Sequence, residues 1–154
     1  MKYIGTPPEP GCLFCRLLDA DPAEDRQNLV VWRGANALVL MNRFPYNNGH
    51  LMVAPRAHVP SLADLSDSDA VAMHQALRSS LAALQEVMSP EGYNVGANLG
   101  RPAGAGIPDH VHLHVVPRWN GDTNFMPVLG EVKVINEHLD RTWEKLRAAF
   151  KPPA

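Results

Sequence analysis

The sequence predicts an α+β fold that combines a mostly antiparallel sheet of five or six strands with one long helix and a C-terminal helix. Three patterns support this fold class. Short apolar runs that end at turn-forming residues recur over 29–53 and again from position 93, as is typical of strands. Apolar residues recur at helical spacing over 73–88. Histidine alternates with apolar residues over 110–116, and a period of two indicates a strand.

The other strands are placed by their apolar runs and the turns between them. A hairpin turn at 33–36 joins the first two. Pro55 and Pro117 are expected to end the strands in which they occur, because proline has no N–H to donate. The predicted strands are 29–32, 37–41, 51–53 and 93–99, with a last short strand at 132–135.

Helices are predicted before, between and after these strands in the sequence. A short helix is expected over 12–19, followed by a polar loop that starts at Asp21. Ser66, with Asp69 three positions later, is typical of a helix N-terminus, and Pro90 ends this long helix. Its apolar stripe should cover one face of the sheet. The histidine face is then left for loops, substrate or a second subunit.

Length and composition fit a single domain over residues 1–154. We expect an extended arm at 1–10, a core at 11–126 and a C-terminal strand and helix at 127–154, with the helix over 139–150. The net charge of −2 argues against a broad surface for nucleic acid or membranes. No apolar run has the length of a membrane span, and no signal-peptide core is visible, so the expected location is the cytoplasm.

The central motif is the row of His110, His112 and His114, whose side chains should share one face of their strand. Imidazole can be nucleophile, base or acid near neutral pH. It suits attack on phosphorus, because a phosphorylated imidazole is reactive enough to release its group again. Two other interpretations stay open: a strand that faces solvent, or a metalloenzyme with His110 and His112 as ligands. For the latter, the only nearby carboxylate is that of Asp109, on the opposite face.

Two loops flank the motif. The small residues at 100–106 would let backbone N–H groups approach a phosphate closely, although a plain flexible turn has the same composition. The segment 119–127 is polar yet holds Trp119, Phe125 and Met126, which indicates a partly buried flap over a ligand or simply structural packing.

The His–apolar–His–apolar–His–apolar–apolar strand resembles the histidine triad (HIT) superfamily of nucleotide hydrolases and transferases. Residues 40–43, residues 49–55 and His58 resemble the family's first nucleotide-binding segment. The resemblance implies that His112 is the nucleophile on the α-phosphate of a nucleotide. It implies that His114 hydrogen-bonds the phosphate oxygens or the nucleophile, and that His110 contacts the backbone or, in some members, a metal.

The resemblance also implies a set of substrate-binding residues. Asn42 would bind the ribose hydroxyls, and Leu40 and Phe44 would flank the base. Asn98 would contact the α-phosphate or the leaving group, and His50 would support the triad from the neighbouring strand. The loop residues complete the set, which is Leu40, Asn42, Phe44, His50, Asn98, Gly104, Ala105, Gly106 and Trp119.

One departure from the family pattern bears on the reaction. Hint-type phosphoramidases and Fhit-type hydrolases carry Gly-Gln-Ser or Gly-Gln-Thr shortly before the triad, where this chain has Ala105-Gly106-Ile107. Together with 117–125, this resembles the bacterial branch that includes diadenosine tetraphosphate phosphorylases. The expected activity is cleavage of a dinucleoside polyphosphate, with phosphate or water as acceptor. The alternatives are a Hint-type nucleoside phosphoramidase and a non-catalytic protein that binds purine nucleotides.

The two cysteines form a Cys12-x-x-Cys15 pair, which is half of a tetrahedral zinc site. The resemblance to some HIT members and to galactose-1-phosphate uridylyltransferases implies that His58 and His110 complete it. The alternative is two thiols without a metal. No cofactor is expected for catalysis itself, and the resemblance implies a homodimer in which the sheet continues across a two-fold axis.

Overall fold

The computed structural model describes residues 11–123 and 135–153. The described residues form four α-helices and five strands, besides three single-turn 3₁₀ helices. In chain order these are α1 (Leu13–Asp19), α2 (Asp25–Asn28), β1 (Val30–Arg33), β2 (Ala37–Met41), β3 (Leu51–Pro55), α3 (Asp67–Met88), β4 (Gly92–Gly96), β5 (Leu113–Arg118) and α4 (Leu139–Ala149). The expected arm at 1–10 and all but Ile135 of the expected last strand lie outside these residues.

The five strands form one sheet in the order β1-β2-β3-β5-β4, and every neighbouring pair is antiparallel. The α+β class and the long and C-terminal helices are therefore confirmed. β5 lies between β3 and β4, with Met52 opposite His114 on one side and Val95 opposite Val115 on the other. In the described part of the chain, no helix is both long and apolar enough to cross a membrane.

Both faces of the sheet carry helices, as alternation along β2 illustrates. Val39 and Met41 belong to the apolar cluster shared with α3 and α4, whereas Leu38 and Leu40 pack with Phe14 of α1 on the other face. All five residues of β2 are buried. The expectation that only loops, substrate or a second subunit cover the histidine face was therefore wrong, because α1 covers part of it.

The ends of α3 follow from its sequence. The Ser66 Oγ accepts a hydrogen bond from the Asp69 N–H at 3.1 Å and so satisfies a donor that the first turn leaves free. The helix stops at Ser89, whose φ of 46° is left-handed, and Pro90 follows. The expected polar loop after Asp21 was wrong in part, because it contains α2.

β3 ends at Pro55, as expected, whereas β5 continues through Pro117 to Arg118. Pro55 pairs with Ala37, and Pro117 pairs with Tyr93. The Pro117 carbonyl accepts a hydrogen bond from the Asn47 side chain at 3.1 Å. The backbone nitrogen of Pro117 therefore faces a loop on the same side, and its missing N–H removes no hydrogen bond between strands. The strand end expected at Pro55 is therefore confirmed, and the one expected at Pro117 was wrong. The strand expected over 93–99 is also shorter, since β4 ends at Gly96.

The first two histidines of the motif precede β5. Continuing the β3–β5 register beyond Val53 and Leu113 would place Pro55 opposite Val111, where proline has no N–H to give. The Val111 N–H instead donates to the Val59 carbonyl at 2.7 Å. The expectation of a strand over 110–116 was therefore wrong at its start, and the chain bends toward the loop after β3.

Candidate active site and metal centre

A cleft of about 940 Å³ lies on the α1 face of the sheet, between α1, β2, the loop after β2 and the 104–107 loop. His112 and His114 line it, together with the apolar side chains of Leu40, Phe44 and Ile107. Its walls thus combine apolar surface, which suits a flat base, with imidazoles that suit a phosphate.

The cleft also contains more cationic than anionic side chains. Arg16 of α1 and Arg43 line it, and Glu24 is its one acidic residue among those described. The Arg43 Nη2 donates to the Gln27 carbonyl at 2.8 Å, which holds this guanidinium at the wall. Such an arrangement favours an anionic ligand.

The hydrogen bond at His112 defines which ring nitrogen can react. His112 is only 5% exposed, and its Nδ1 lies 2.9 Å from the His110 carbonyl oxygen. A carbonyl can only accept, so Nδ1 carries the proton and Nε2 keeps the lone pair. Burial lowers the pKa of His112, which keeps the ring neutral near pH 7. A neutral imidazole with a free Nε2 lone pair is a competent nucleophile.

A second chain of hydrogen bonds fixes His114. The Tyr46 N–H donates to the His50 Nδ1 at 3.0 Å, so His50 carries its proton on Nε2. That Nε2 lies 2.9 Å from the His114 Nδ1 and donates to it. His114 therefore carries its own proton on Nε2. Burial, and then the neighbouring His112, lower the pKa of His114 to about 4, so it is a neutral donor at the cleft.

His110 faces away from the cleft and is fully buried. Its Nε2 donates to the Pro55 carbonyl at 2.9 Å, which leaves the Nδ1 lone pair available. That Nδ1 lies 3.3 Å from the Cys12 Sγ and 3.3 Å from the His58 Nδ1. The Cys15 Sγ lies 3.3 Å from the same His58 atom. Two thiols and two imidazoles thus converge on one point.

The geometry of this Cys/His cluster, made of Cys12, Cys15, His58 and His110, fits a tetrahedral zinc ion. All four ligand atoms lie within 4.8 Å of one another. Zinc bonds of about 2.3 Å to sulfur and about 2.0 Å to nitrogen separate S from N by about 3.6 Å and N from N by about 3.3 Å in a tetrahedron. The hydrogen bond from His110 to Pro55 supplies the outer support that zinc-bound imidazoles have. A bound zinc would tie α1 to the chain that enters β5.

The sequence-predicted substrate residues fall into three groups. Those that line the main cleft are Leu40, Asn42, Phe44, Gly104 and Gly106. Asn98 lines a smaller pocket of about 210 Å³ on the other side of His114, and His50 lies behind that ring. Ala105 is buried, and Trp119 lines neither cavity.

The start of the predicted flap has a structural role. The Asp122 carboxylate accepts two hydrogen bonds of 2.7 Å from Arg118, which holds the pKa of Asp122 below its usual range. It also accepts from the Trp119 N–H at 3.1 Å and from Asn47 at 2.9 Å. The end of β5 is thereby joined to the loop before β3. Phe125 and Met126 lie outside the described residues.

Sequence reasoning missed two aromatic side chains at the site. The Phe14 ring lies 5.0 Å from the His110 ring and 4.8 Å from the His112 ring, between centroids. The Tyr46 ring lies 4.6 Å from His50. The contact of Phe14 could have been predicted from its position between two predicted metal ligands. A helix that places both cysteines against the sheet must also bury the large apolar residue between them.

Comparison with known proteins agrees with this geometry. The HIT domain model matches residues 22–121. An AP-4-A phosphorylase of Mycobacterium tuberculosis (strain CDC 1551 / Oshkosh) is 42% identical over 118 residues, which are 77% of this chain and 60% of that protein. An adenosine 5'-monophosphoramidase of Schizosaccharomyces pombe is 30% identical over 110 residues, 71% of this chain and 75% of that protein.

A solved structure extends the match. The crystal structure of a Zn-bound histidine triad family protein from Mycobacterium smegmatis aligns with a TM-score of 0.70 and 26% identity, over 91% of this chain and 93% of that one. Sheet, cleft and imidazole row define an α+β protein with a histidine-lined cleft. The chain belongs to the HIT domain family.

Proposed function

We propose that this protein cleaves a dinucleoside polyphosphate, such as diadenosine tetraphosphate, at an α-phosphate through a nucleotidyl intermediate on His112. The observation that carries the proposal is the 2.9 Å hydrogen bond from the His112 Nδ1 to the His110 carbonyl. It leaves the Nε2 lone pair free in a neutral ring that lines the cleft.

The reaction has two displacements at the same phosphorus atom. In the first, the His112 Nε2 attacks the α-phosphorus, a P–N bond forms, and the P–O bond to the remaining polyphosphate breaks with its electron pair. The leaving phosphate then takes up a proton. In the second, an oxygen of the acceptor attacks, and the P–N bond breaks. The Nε2–H of His114 stabilises the charge that develops on the phosphate oxygens.

Several wall residues support a nucleotide as the bound group. Leu40 and Phe44 supply apolar surface for a base, and Asn42 lines the cleft beside them for the ribose hydroxyls. Arg16 and Arg43 supply positive charge for the phosphates. The M. tuberculosis relative is named AP-4-A phosphorylase, and this chain spans 60% of its length.

We propose inorganic phosphate as the acceptor. The 104–107 loop lacks the Gln and hydroxyl side chains of Hint-type and Fhit-type proteins, and Gly104 and Gly106 line the cleft instead, which leaves room for a second anion. The test is product analysis with diadenosine tetraphosphate and phosphate. Transfer to phosphate yields ADP and ATP, whereas transfer to water yields AMP and ATP. If AMP forms without ADP while phosphate is present, transfer to phosphate is excluded, and hydrolysis remains as the reaction.

A nucleoside phosphoramidase is the second candidate. The S. pombe relative is named for that activity, and a nucleotidyl-histidine is compatible with an amine leaving group. Adenosine 5'-phosphoramidate assayed beside diadenosine tetraphosphate at equal concentration distinguishes the two, and the substrate with the higher kcat/KM decides. Micromolar nucleotide binding without turnover of either substrate would instead indicate a non-catalytic binding protein.

We also propose that Cys12, Cys15, His58 and His110 hold a structural zinc ion. The convergence of their ligand atoms within 4.8 Å supports this, and the M. smegmatis protein is Zn-bound. A closed Cys₂His₂ set leaves no open coordination position, so the ion would stabilise the fold.

Finally, we propose a homodimer that pairs through β4. This strand is at the edge of the sheet, and Asn94, Val95 and Gly96 are exposed. An unpaired edge favours strand pairing with a second copy. In sedimentation experiments, Val95→Lys should yield a monomer, while Val71→Lys on the exposed face of α3 should leave the dimer intact. A wild-type monomer would contradict the proposal.

A further inference from the structure

Phe14 connects the Cys/His cluster with the cleft. It lies on α1 between Cys12 and Cys15, and it is fully buried. Its ring lies 5.0 Å from that of His110 at an interplanar angle of 47°, and 4.8 Å from that of His112 at 45°. Both distances lie within the range of favourable aromatic contacts. One side chain thus packs against a cluster histidine and the proposed nucleophile.

The chemistry at His112 requires one orientation of its ring. With Nδ1 at the His110 carbonyl, Nε2 has the lone pair. Rotation of the ring by about a half-turn breaks this hydrogen bond and allows the other tautomer. Because Phe14 packs against one side of the imidazole, it restricts that rotation, and so it acts on the nucleophile through packing.

The position of Phe14 depends in turn on the cluster. The Cys12 Sγ lies 3.3 Å from the His110 Nδ1, and the Cys15 Sγ lies 3.3 Å from the His58 Nδ1. These contacts hold α1 on the sheet at the residues on either side of Phe14. His110 also provides the carbonyl that fixes the tautomer of His112. Two routes therefore lead from the cluster to the nucleophile, one through the Phe14 ring and one through the His110 backbone.

We propose that Phe14 is a positioning residue that transmits the state of the Cys/His cluster to the imidazole of His112. The meaning of this for catalysis rests on the proposed function, in which His112 is the nucleophile. The ring orientation itself does not depend on that function. Loss of zinc or of the Phe14 ring should release His112 into a mixture of orientations even while nucleotide still enters the cleft.

The test compares Phe14→Leu and Phe14→Met with the control Phe150→Leu. Phe150 is also buried and stacks on Trp32 with centroids 5.6 Å apart, within the apolar cluster shared with α3 and α4, which includes neither Phe14 nor the triad histidines. All variants are examined as full chains. The readouts are ¹⁵N NMR of the histidine rings, zinc content, and kcat and KM for diadenosine tetraphosphate.

We expect both Phe14 variants to keep zinc and to show mixed tautomers at His112, while Phe150→Leu keeps the Nδ1–H form alone. In the two Phe14 variants kcat should fall about ten- to a hundredfold, while KM should stay within about twofold of the wild-type value. A small misplacement of a reacting group lowers the rate more than it weakens binding. Wild type stripped of zinc by a chelator should show the same mixed tautomers.

A single Nδ1–H tautomer in the Phe14 variants, with kcat equal to that of Phe150→Leu, would overturn the proposal. If both variants fail to fold, the zinc-stripped wild type decides, and a retained single tautomer overturns it. If the wild-type protein binds no zinc, the proposal that the zinc-bound state of the cluster controls the His112 ring is overturned. A wild type without turnover would contradict the proposed function alone, since the NMR comparison still reads the ring orientation.

Discussion

The Nδ1 atom of His112 lies 2.9 Å from the carbonyl oxygen of His110, two residues earlier in the chain. Because a carbonyl can only accept, this contact assigns the proton to Nδ1 and the lone pair to Nε2. The same His110 turns its ring toward Cys12. One residue therefore joins the Cys/His cluster with its side chain and holds the proposed nucleophile with its backbone.

The first prediction concerns His112→Ala. Removing the nucleophile should lower kcat at least about a thousandfold, since a residue that forms the covalent intermediate has no substitute. Zinc content should not change, because the four cluster residues remain. His74→Ala, at an exposed position of α3, is the control and should keep full activity. Loss of zinc together with turnover would favour the metalloenzyme with His110 and His112 as ligands.

The second prediction concerns His50→Phe. The change leaves the His114 Nδ1 without its donor and the Tyr46 N–H without its acceptor in a partly buried region, which should cost about 1 kcal/mol of unfolding free energy. His50→Gln keeps a side chain that can donate and should lose less. Urea unfolding measures both. Equal stability of the two variants would indicate that the hydrogen bonds to His50 do not hold His114.

The third prediction concerns the pH dependence of stability. Burial and the neighbouring His112 lower the pKa of His114 to about 4, whereas the unfolded chain exposes the ring at about its usual 6.5. Between these values only the unfolded state takes up the proton, so the unfolding free energy falls as pH is lowered through this window. Above the window neither state holds the proton.

His114→Gln removes this titrating ring. Between pH 6.5 and 4 its unfolding free energy should therefore decrease less steeply than that of the wild type, because one fewer proton is taken up on unfolding. Urea unfolding at several pH values measures both slopes. Parallel slopes would show that His114 titrates alike in both states.

Local patterns predicted most of the fold. Short apolar runs ending at turn residues predicted β1 and β2, and the Ser66 cap and helical spacing predicted α3, because these features depend on neighbours in sequence. The strand end expected at Pro117 failed for the opposite reason. Whether Pro117 interrupts a strand depends on whether its backbone nitrogen faces a neighbouring strand. Here that side faces the Asn47 side chain, which is 70 residues away in the sequence.

The arrangement of candidate site residues was predictable where a short motif names them. The four cluster residues converge as the resemblance implied, and His112 and His114 reach the same cleft. The placement of Trp119 away from the cleft and the contact of Phe14 with His112 depend on how α1 and the end of β5 pack. Packing between distant segments leaves little trace in a single sequence.

The fourth prediction concerns zinc. Wild-type protein purified without chelator should contain about one zinc per chain, and Cys15→Ser should lose most of it, because three ligands bind zinc far less tightly than four. The variant should also unfold at a lower temperature, since a metal that binds only the folded state stabilises it. Less than a tenth of an equivalent in the wild type would contradict the zinc site.

Detection of the covalent intermediate tests most directly the claim that His112 is the nucleophile. Diadenosine tetraphosphate is mixed with the protein, the reaction is quenched within one turnover, and the peptides are analysed by mass spectrometry under conditions that preserve P–N bonds. We expect one adenylyl group, attached to the ring of His112 and absent from His112→Ala. Full turnover with no adenylyl group on His112, or with the group on another residue, would contradict the account.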